Sequence, residues 1–174
     1  YLEAGVLPPC TFLNLESLPE LAAPAKLNGG LALSARTTYR DIRAHAGIAK
    51  AYPLLPRAAR EVGVLAIQSR GTWAGNIANA SPAADGVPAL MAYDAEVELS
   101  SLDDAGHIAT RRVPLAKFYL GYKKMDLAPG ELITRILLPP PAPGRIEYYR
   151  KVGARRLQAI TKTLLTGWIA LDAS

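Results

Sequence analysis

The sequence is poor in the residues that usually build covalent staples and metal centres: 174 residues contain one cysteine, Cys10, and two histidines, His45 and His107. One cysteine excludes an internal disulfide and a multi-cysteine metal or iron–sulfur ligand set within these residues, and it fits a reducing compartment, so a cytoplasmic location is expected. The two histidines lie far apart in sequence and do not suggest a zinc centre, although Asp and Glu ligands stay open. No apolar run approaches the roughly 20 residues that cross a bilayer, and no basic segment with an apolar signal core opens the chain, so no membrane span is expected. The phosphate-loop spacings GxGxxG and GxxxxGK[ST] do not occur in the glycine-rich part of the chain, which excludes the two commonest nucleotide loops there.

What is present is core-forming material. Half the residues are hydrophobic and a fifth are charged, a balance that folds rather than staying disordered. The formal charge of +5 is concentrated at Arg111-Arg112, Lys123-Lys124 and Arg150, Lys151, Arg155, Arg156. That modest excess suits nucleic acid, a phosphorylated cofactor or an acidic protein and selects none of them.

Periodicity gives a coarse order of elements. Apolar stretches at 11–15 and 31–35 read as strands, with Asn28-Gly29-Gly30 as a turn between them. Thr37 or Thr38 caps a short helix running to Ala44, and residues 54–62 form a second amphipathic helix stopped by Gly63. Asp85 is placed to cap a short helix in GVPALMAYD, where Pro88 falls in the first turn. Alternation at 95–101 predicts a half-buried strand with Glu96 and Glu98 in water, followed by a hairpin turn at 103–106 and a return strand at 107–113. Residues 115–120 read as a short helix, 132–138 as a strand ending at the proline run 139–141, and 148–152 and 160–171 as further strands. The fold class expected is α+β.

Between the second helix and Asp85 lies RGTWAGNIANASPAAD, residues 70–85, with two glycines and two asparagines and no charge between its ends. One reading is an irregular connection, since Gly and Asn are ordinary turn residues. The other is a ligand loop: Thr72, Asn76, Asn79 and Ser81 supply donors and acceptors, while Gly71 and Gly75 let a ligand approach the backbone amides. Converging amides favour a pyrophosphate, and Asp85 accepts from a hydroxyl.

This run resembles the second flavin-contacting motif of the FAD-binding subunit or domain of the molybdenum-containing hydroxylases, the group of xanthine dehydrogenase, aldehyde oxidase and carbon monoxide dehydrogenase. The resemblance continues in order through VPALMAYDAEVEL, VPLAKFYLGYKK, LAPGELITRILLP and YYRKVGARRLQAI, and covers nearly the whole chain. It implies a partial PCMH-type FAD-binding module, with a mixed or antiparallel sheet and flanking helices. It also implies a role as an electron-transfer component. In that family substrate is oxidised at a molybdenum cofactor on a partner subunit or domain, two [2Fe–2S] clusters pass the electrons on, and flavin delivers them to NAD or another acceptor.

Carried over by position, the resemblance puts Thr72, Gly75 and Asn76 beside the phosphate and ribityl region of FAD, with Ala78 and Asn79 on the same turn. Asp85 falls where the family binds the adenosine ribose, Leu127 where an apolar side chain lines the isoalloxazine or adenine pocket, and Lys151 where a basic or polar group lies near the flavin ring. Without the resemblance, Thr72 and Asn76 are turn stabilisers, Asp85 a helix cap, Leu127 a core residue and Lys151 a solvated charge. A cation near the flavin would stabilise its reduced anionic form.

Two departures carry consequences. The family commonly has two glycines where this chain has Ala74-Gly75, and a smaller aliphatic residue where it has Trp73; Ala74 is harmless only with ordinary backbone angles, and Trp73 is expected to pack. The chain also begins at Tyr1 rather than Met and lacks a family-type upstream GG-containing loop. Residues 1–139 are therefore expected to be a module without its N-terminal phosphate-loop subdomain, and 145–174 the truncated start of a C-terminal domain. Losing several charge-assisted hydrogen bonds, at about 1.5–3 kcal/mol each, would leave these residues alone with weak FAD affinity.

Two rivals remain from sequence: a non-catalytic nucleotide or small-ligand domain, and nucleic-acid binding through Tyr148, Tyr149 and the adjacent cations. One local cluster without a repeated stacking platform is a weak sign of the latter, and no nucleic-acid partner is expected.

Overall fold

A computed structural model describes residues 11–22, 25–27, 29–155 and 159–170, with backbone alone at 25–27. Its elements are β1 (Ala25–Leu27), β2 (Gly30–Ser34), α1 (Tyr39–Ala44), α2 (Ala46–Ala51), α3 (Leu54–Glu61), α4 (Leu65–Arg70), α5 (Trp73–Ala78) and α6 (Val87–Met91). There follow β3 (Glu96–Leu102), β4 (Ile108–Pro114), α7 (Leu115–Phe118), β5 (Tyr119–Gly121), β6 (Lys124–Met125), β7 (Leu132–Leu138), β8 (Arg145–Gly153) and β9 (Thr161–Ala170). The α+β class is as expected. An antiparallel sheet runs in the order β1-β2-β7-β3-β4, and β5–β6 and β8–β9 form separate two-stranded ribbons.

The core is built where the apolar periodicities of sheet and helices meet. Leu33 from β2, Val97 and Leu99 from β3 and Ile136 from β7 are fully buried with Ile42, Leu54, Leu55, Trp73, Ile77 and Leu90 from the helices. β8 packs on α3 and β9 on α6, so the second ribbon lies across the helices rather than extending the main sheet.

Several local expectations hold for the reasons given. Thr38 caps α1 in a full capping box with Asp41, β7 spans 132–138, and Gly106 turns the β3–β4 hairpin at φ +82° while Asp103 accepts from the amides of Ala105 and His107. Residues 30–34 form the strand foreseen at 31–35, and the Leu27–Gly30 pairing puts a turn where one was read. Asn28 of that turn, Cys10, Arg156 and the predicted strand end at 171 lie outside the described residues.

Others are corrected. Residues 11–15 are not a strand; Asn14 accepts from the Glu16 amide and starts a 3-10 turn at Leu15–Ser17. Glu98 does not face water: β3 is an interior strand, and Arg112 and Arg135, its register partners on β4 and β7, flank its carboxylate at 3.1 and 3.5 Å and cover it. Asp85 does not cap α6, because Gly86 occupies the cap position and no side chain caps there. The run 70–85 is not all loop. Its middle is helix α5, since Trp73, Ala74 and Ile77 fall at helical spacing against the core and that burial outweighs the propensities of Gly and Asn.

Candidate functional site

The site begins with a strap that fixes where α5 starts. The amide of Tyr39 donates to Gly71 O at 3.2 Å and that of Trp73 to Thr37 O at 3.1 Å, with a bridge between Thr38 and Thr72. Thr72 then caps α5 by accepting from the Gly75 amide at 3.0 Å. Beneath it Trp73 is fully buried, its ring 5.0 Å from that of Tyr39. The indole is thus a packing residue, as expected, and Ala74 sits in the helix with no positive φ.

With one face of α5 committed to the core, the other carries Thr72, Gly75, Asn76 and Asn79 at i, i+3, i+4 and i+7, a single stripe. Gly75, Ala78 and Asn79 are exposed; Thr72 and Asn76 are half-buried. Gly75 leaves the stripe without a side chain at its centre, and a Cβ there would lie 2.9 Å from Thr72 Oγ1. Asn76 Oδ1 is buried and has no hydrogen-bond partner. A Cβ on Gly86 would meet that oxygen and the Trp73 ring at 3.1 Å each, a tight contact that the absence of a side chain at residue 86 avoids.

Next to Gly86, Asp85 is the hub of a second cluster. Its Oδ2 accepts from Lys151 Nζ at 2.7 Å, its Oδ1 from the Thr161 hydroxyl, and its backbone carbonyl from Tyr149 OH at 3.1 Å. The Lys151 and Asp85 side chains are 7% and 14% exposed, so Lys151 is not a solvated charge. Lys151 Nζ also donates to Glu61 O at 2.9 Å, tying β8 to the end of α3. Burial, reinforced by the Asp85 carboxylate, pushes the phenols of Tyr149 and Tyr39 well above their ordinary range, so both stay neutral at working pH.

The structure therefore brings seven of the eight predicted site residues into two adjoining groups: Thr72, Gly75, Asn76, Ala78 and Asn79 on α5, and Asp85 with Lys151. Leu127 stands apart in the loop between β6 and β7, partly buried against the core. That loop is tied down by Arg111, which donates to Asp126 at 3.0 Å and to Glu131 at 2.6 and 2.7 Å, while the Ala128 amide donates to Glu131. Asp85 and Lys151 touch, whereas the resemblance placed them at opposite ends of an extended dinucleotide. Tyr149 and Thr161 were missed; Tyr149 shares the Lys151 face by strand alternation, a readable signal, whereas nothing in sequence pointed to Thr161.

Beyond the C-terminal end of α5 opens a cleft of about 480 Å³, a size typical of small-molecule sites, lined by Ser81, Val87, Met91, Tyr119, Tyr122 and Lys123 and by none of the predicted site residues. Tyr119 OH donates to Ile77 O at 3.1 Å, and burial pushes its phenol up to about 12. Strand alternation splits the aromatic and basic cluster of β8: Tyr149 and Lys151 turn inward, while Tyr148 and Arg150 are exposed. Those residues do not make one stacking platform.

The antiparallel sheet and its flanking helices are the α+β arrangement of a PCMH-type FAD-binding module. The model of the FAD-binding domain in molybdopterin dehydrogenase matches residues 1–141, and the chain belongs to that family. It is 32% identical over 154 residues to the glyceraldehyde dehydrogenase medium chain of Sulfolobus acidocaldarius, covering 88% of this chain and 53% of that relative. A solved structure of a Cu,Mo-CO dehydrogenase in its cyanide-inactivated form superposes with a TM-score of 0.82 at 25% identity, over 91% of this chain and 54% of that one. Quinoline 2-oxidoreductase from Pseudomonas putida 86 superposes with a TM-score of 0.75 at 25% identity, over 86% and 50%. The chain spans about half the length of this medium-chain relative and of the nicotinate dehydrogenase FAD-subunit of Eubacterium barkeri.

Proposed function

We propose that this chain is the FAD-carrying, electron-transfer part of a molybdenum-containing hydroxylase or dehydrogenase. Electrons would come from iron–sulfur clusters of a partner, itself fed by a molybdenum-cofactor subunit, and leave to NAD or another external acceptor. The observation that carries the flavin assignment is the α5 stripe with its unpartnered, buried Asn76 Oδ1. An orphaned carbonyl costs about 1–3 kcal/mol, and a ligand N–H or hydroxyl donor would recover it.

The residues present fit part of a dinucleotide shell. Thr72, Gly75 and Asn76 would hold the polar linker of FAD, with Ala78 and Asn79 bounding it. Asp85 spends one lone pair on Lys151 and one on Thr161, which leaves acceptor capacity for a ribose hydroxyl. Lys151, fixed by Asp85 and Glu61 O, would place a positive charge in the same neighbourhood, and Leu127 would supply an apolar wall. Bound FAD supplies the two-electron chemistry; the protein contributes position, hydrogen bonds and shielding from water. A cytoplasmic setting accords with the flavin role, and residues 1–139 would act as the flavin module with 145–174 opening a second domain.

The test is Asn76→Ala in the intact flavin-loaded complex. Flavin content per protein should fall with little change in thermal stability, and the remaining flavin should still bleach with dithionite. Unchanged content and unchanged bleaching would remove Asn76 from the site.

A further inference from the structure

A different face of the helical layer holds cations that the flavin reading leaves unused. Where α1 packs on α3 and α4, a cleft of about 460 Å³ is lined by Arg40, Arg43, Arg60, Leu65, Gln68 and Ser69. Three guanidinium groups line one concavity, and no carboxylate does. Of the two acids adjacent in sequence, Asp41 is held in the Thr38 capping box, and Glu61 does not line the cleft. Among the described residues, none of the three arginines forms an ion pair with a carboxylate.

The arrangement is organised. Gln68 is 4% exposed, and its amide donates to Val62 O at 2.8 Å and Arg60 O at 3.5 Å, while its carbonyl accepts from Arg43 Nη1. A buried amide thus holds one guanidinium at the rim and ties it to the backbone that carries another. Helix electrostatics account for Arg43 and Arg60, each in the last turn of its helix. They do not account for Arg40, which sits in the first turn of α1, where a cation is disfavoured. Gathering like charges in a concave site raises the free energy of the empty protein, and an anion bound between them reverses the sign.

We propose that this cleft binds the phosphate group of a small organic phosphate. Planar guanidinium forks match phosphate oxygens in pairs, the volume is that of a small-molecule site, and exposed Leu65 offers an apolar wall for the organic part. The site shares no residue with the α5 stripe or with the Asp85–Lys151 pair, so it stands or falls separately from the flavin assignment.

Isothermal titration of the intact complex with inorganic phosphate, inorganic pyrophosphate and AMP tests it. Binding is expected at low ionic strength, to weaken as salt rises, and to be tighter for AMP than for phosphate if the apolar wall contributes. Arg43→Gln and the double variant Arg40→Gln/Arg60→Gln should each weaken it about tenfold or more. Lys117→Gln, which removes the same charge from an exposed position outside the cleft, should leave it unchanged. No binding at low salt overturns the proposal, as does equal weakening by Arg43→Gln and Lys117→Gln. A structure of the complex with a partner's carboxylates filling the cleft, and no pyrophosphate uptake, would overturn it in favour of an acidic protein contact.

Discussion

Two parts of this molecule pair carboxylates with cations, and they do so to different ends. In the main sheet, Arg111 on the edge strand satisfies Asp126 and Glu131 together, and Glu98 on interior β3 lies between Arg112 and Arg135. Around α5 and the β8–β9 ribbon, Asp85 and Lys151 are more deeply buried than Arg111 and Asp126, yet their surroundings are less complete. The buried side-chain polar atoms without partners among the described residues belong to Thr37, Trp73, Asn76, Arg145 and Thr166, all in the helical layer, its strap or the ribbon. A fold tolerates few such orphans, and none of these five lies in a strand of the main sheet.

The comparison breaks most readily at Lys151. Lys151→Met strands the Asp85 carboxylate in a half-buried site and should cost about 3–5 kcal/mol in denaturant unfolding. Adding Asp85→Asn to that variant should recover part of the loss; a single variant as stable as the parent would show the pair to be a loose surface contact. At the sheet, Glu98→Gln removes a charge whose two arginines can turn to water, both being half exposed. About 1–2 kcal/mol is expected there, and a loss as large as that at Lys151 would erase the distinction.

Smaller still is the acid response of the Arg111 knot. Hydrogen bonding from Arg111 holds the Glu131 carboxyl below the usual carboxylate range. A depressed folded-state value means its stabilisation is present above the ordinary carboxylate pKa and is lost as pH falls through the folded one. Glu131→Gln should therefore flatten the acid limb of stability against pH, with the difference from the parent greatest near neutrality and vanishing in strong acid. An unchanged limb would show that Glu131 contributes nothing through ionisation.

Much of the fold was readable where one element's own residues decide it. The capping pattern at Thr38, the alternation of 132–138 and the Asp103–Gly106 turn each carry their cause within a few residues. The misreadings came from distant partners. Glu98 looks solvent-facing until β4 and β7 bring arginines alongside it, and α5 looks like loop until the core claims Trp73, Ala74 and Ile77. The site shows the same division: helical spacing of Thr72, Gly75, Asn76 and Asn79 lies in the sequence, but the meeting of Asp85 with Lys151, 66 residues on, does not. It comes about because β8 packs on α3 and carries Tyr149 and Lys151 to Asp85.

The most direct test is a structure of the intact flavin-loaded complex. The account predicts FAD against the α5 stripe, with one of its donors within hydrogen-bond distance of Asn76 Oδ1 and a ribose hydroxyl on Asp85. FAD bound elsewhere, with the Asn76 carbonyl facing only protein, would contradict it.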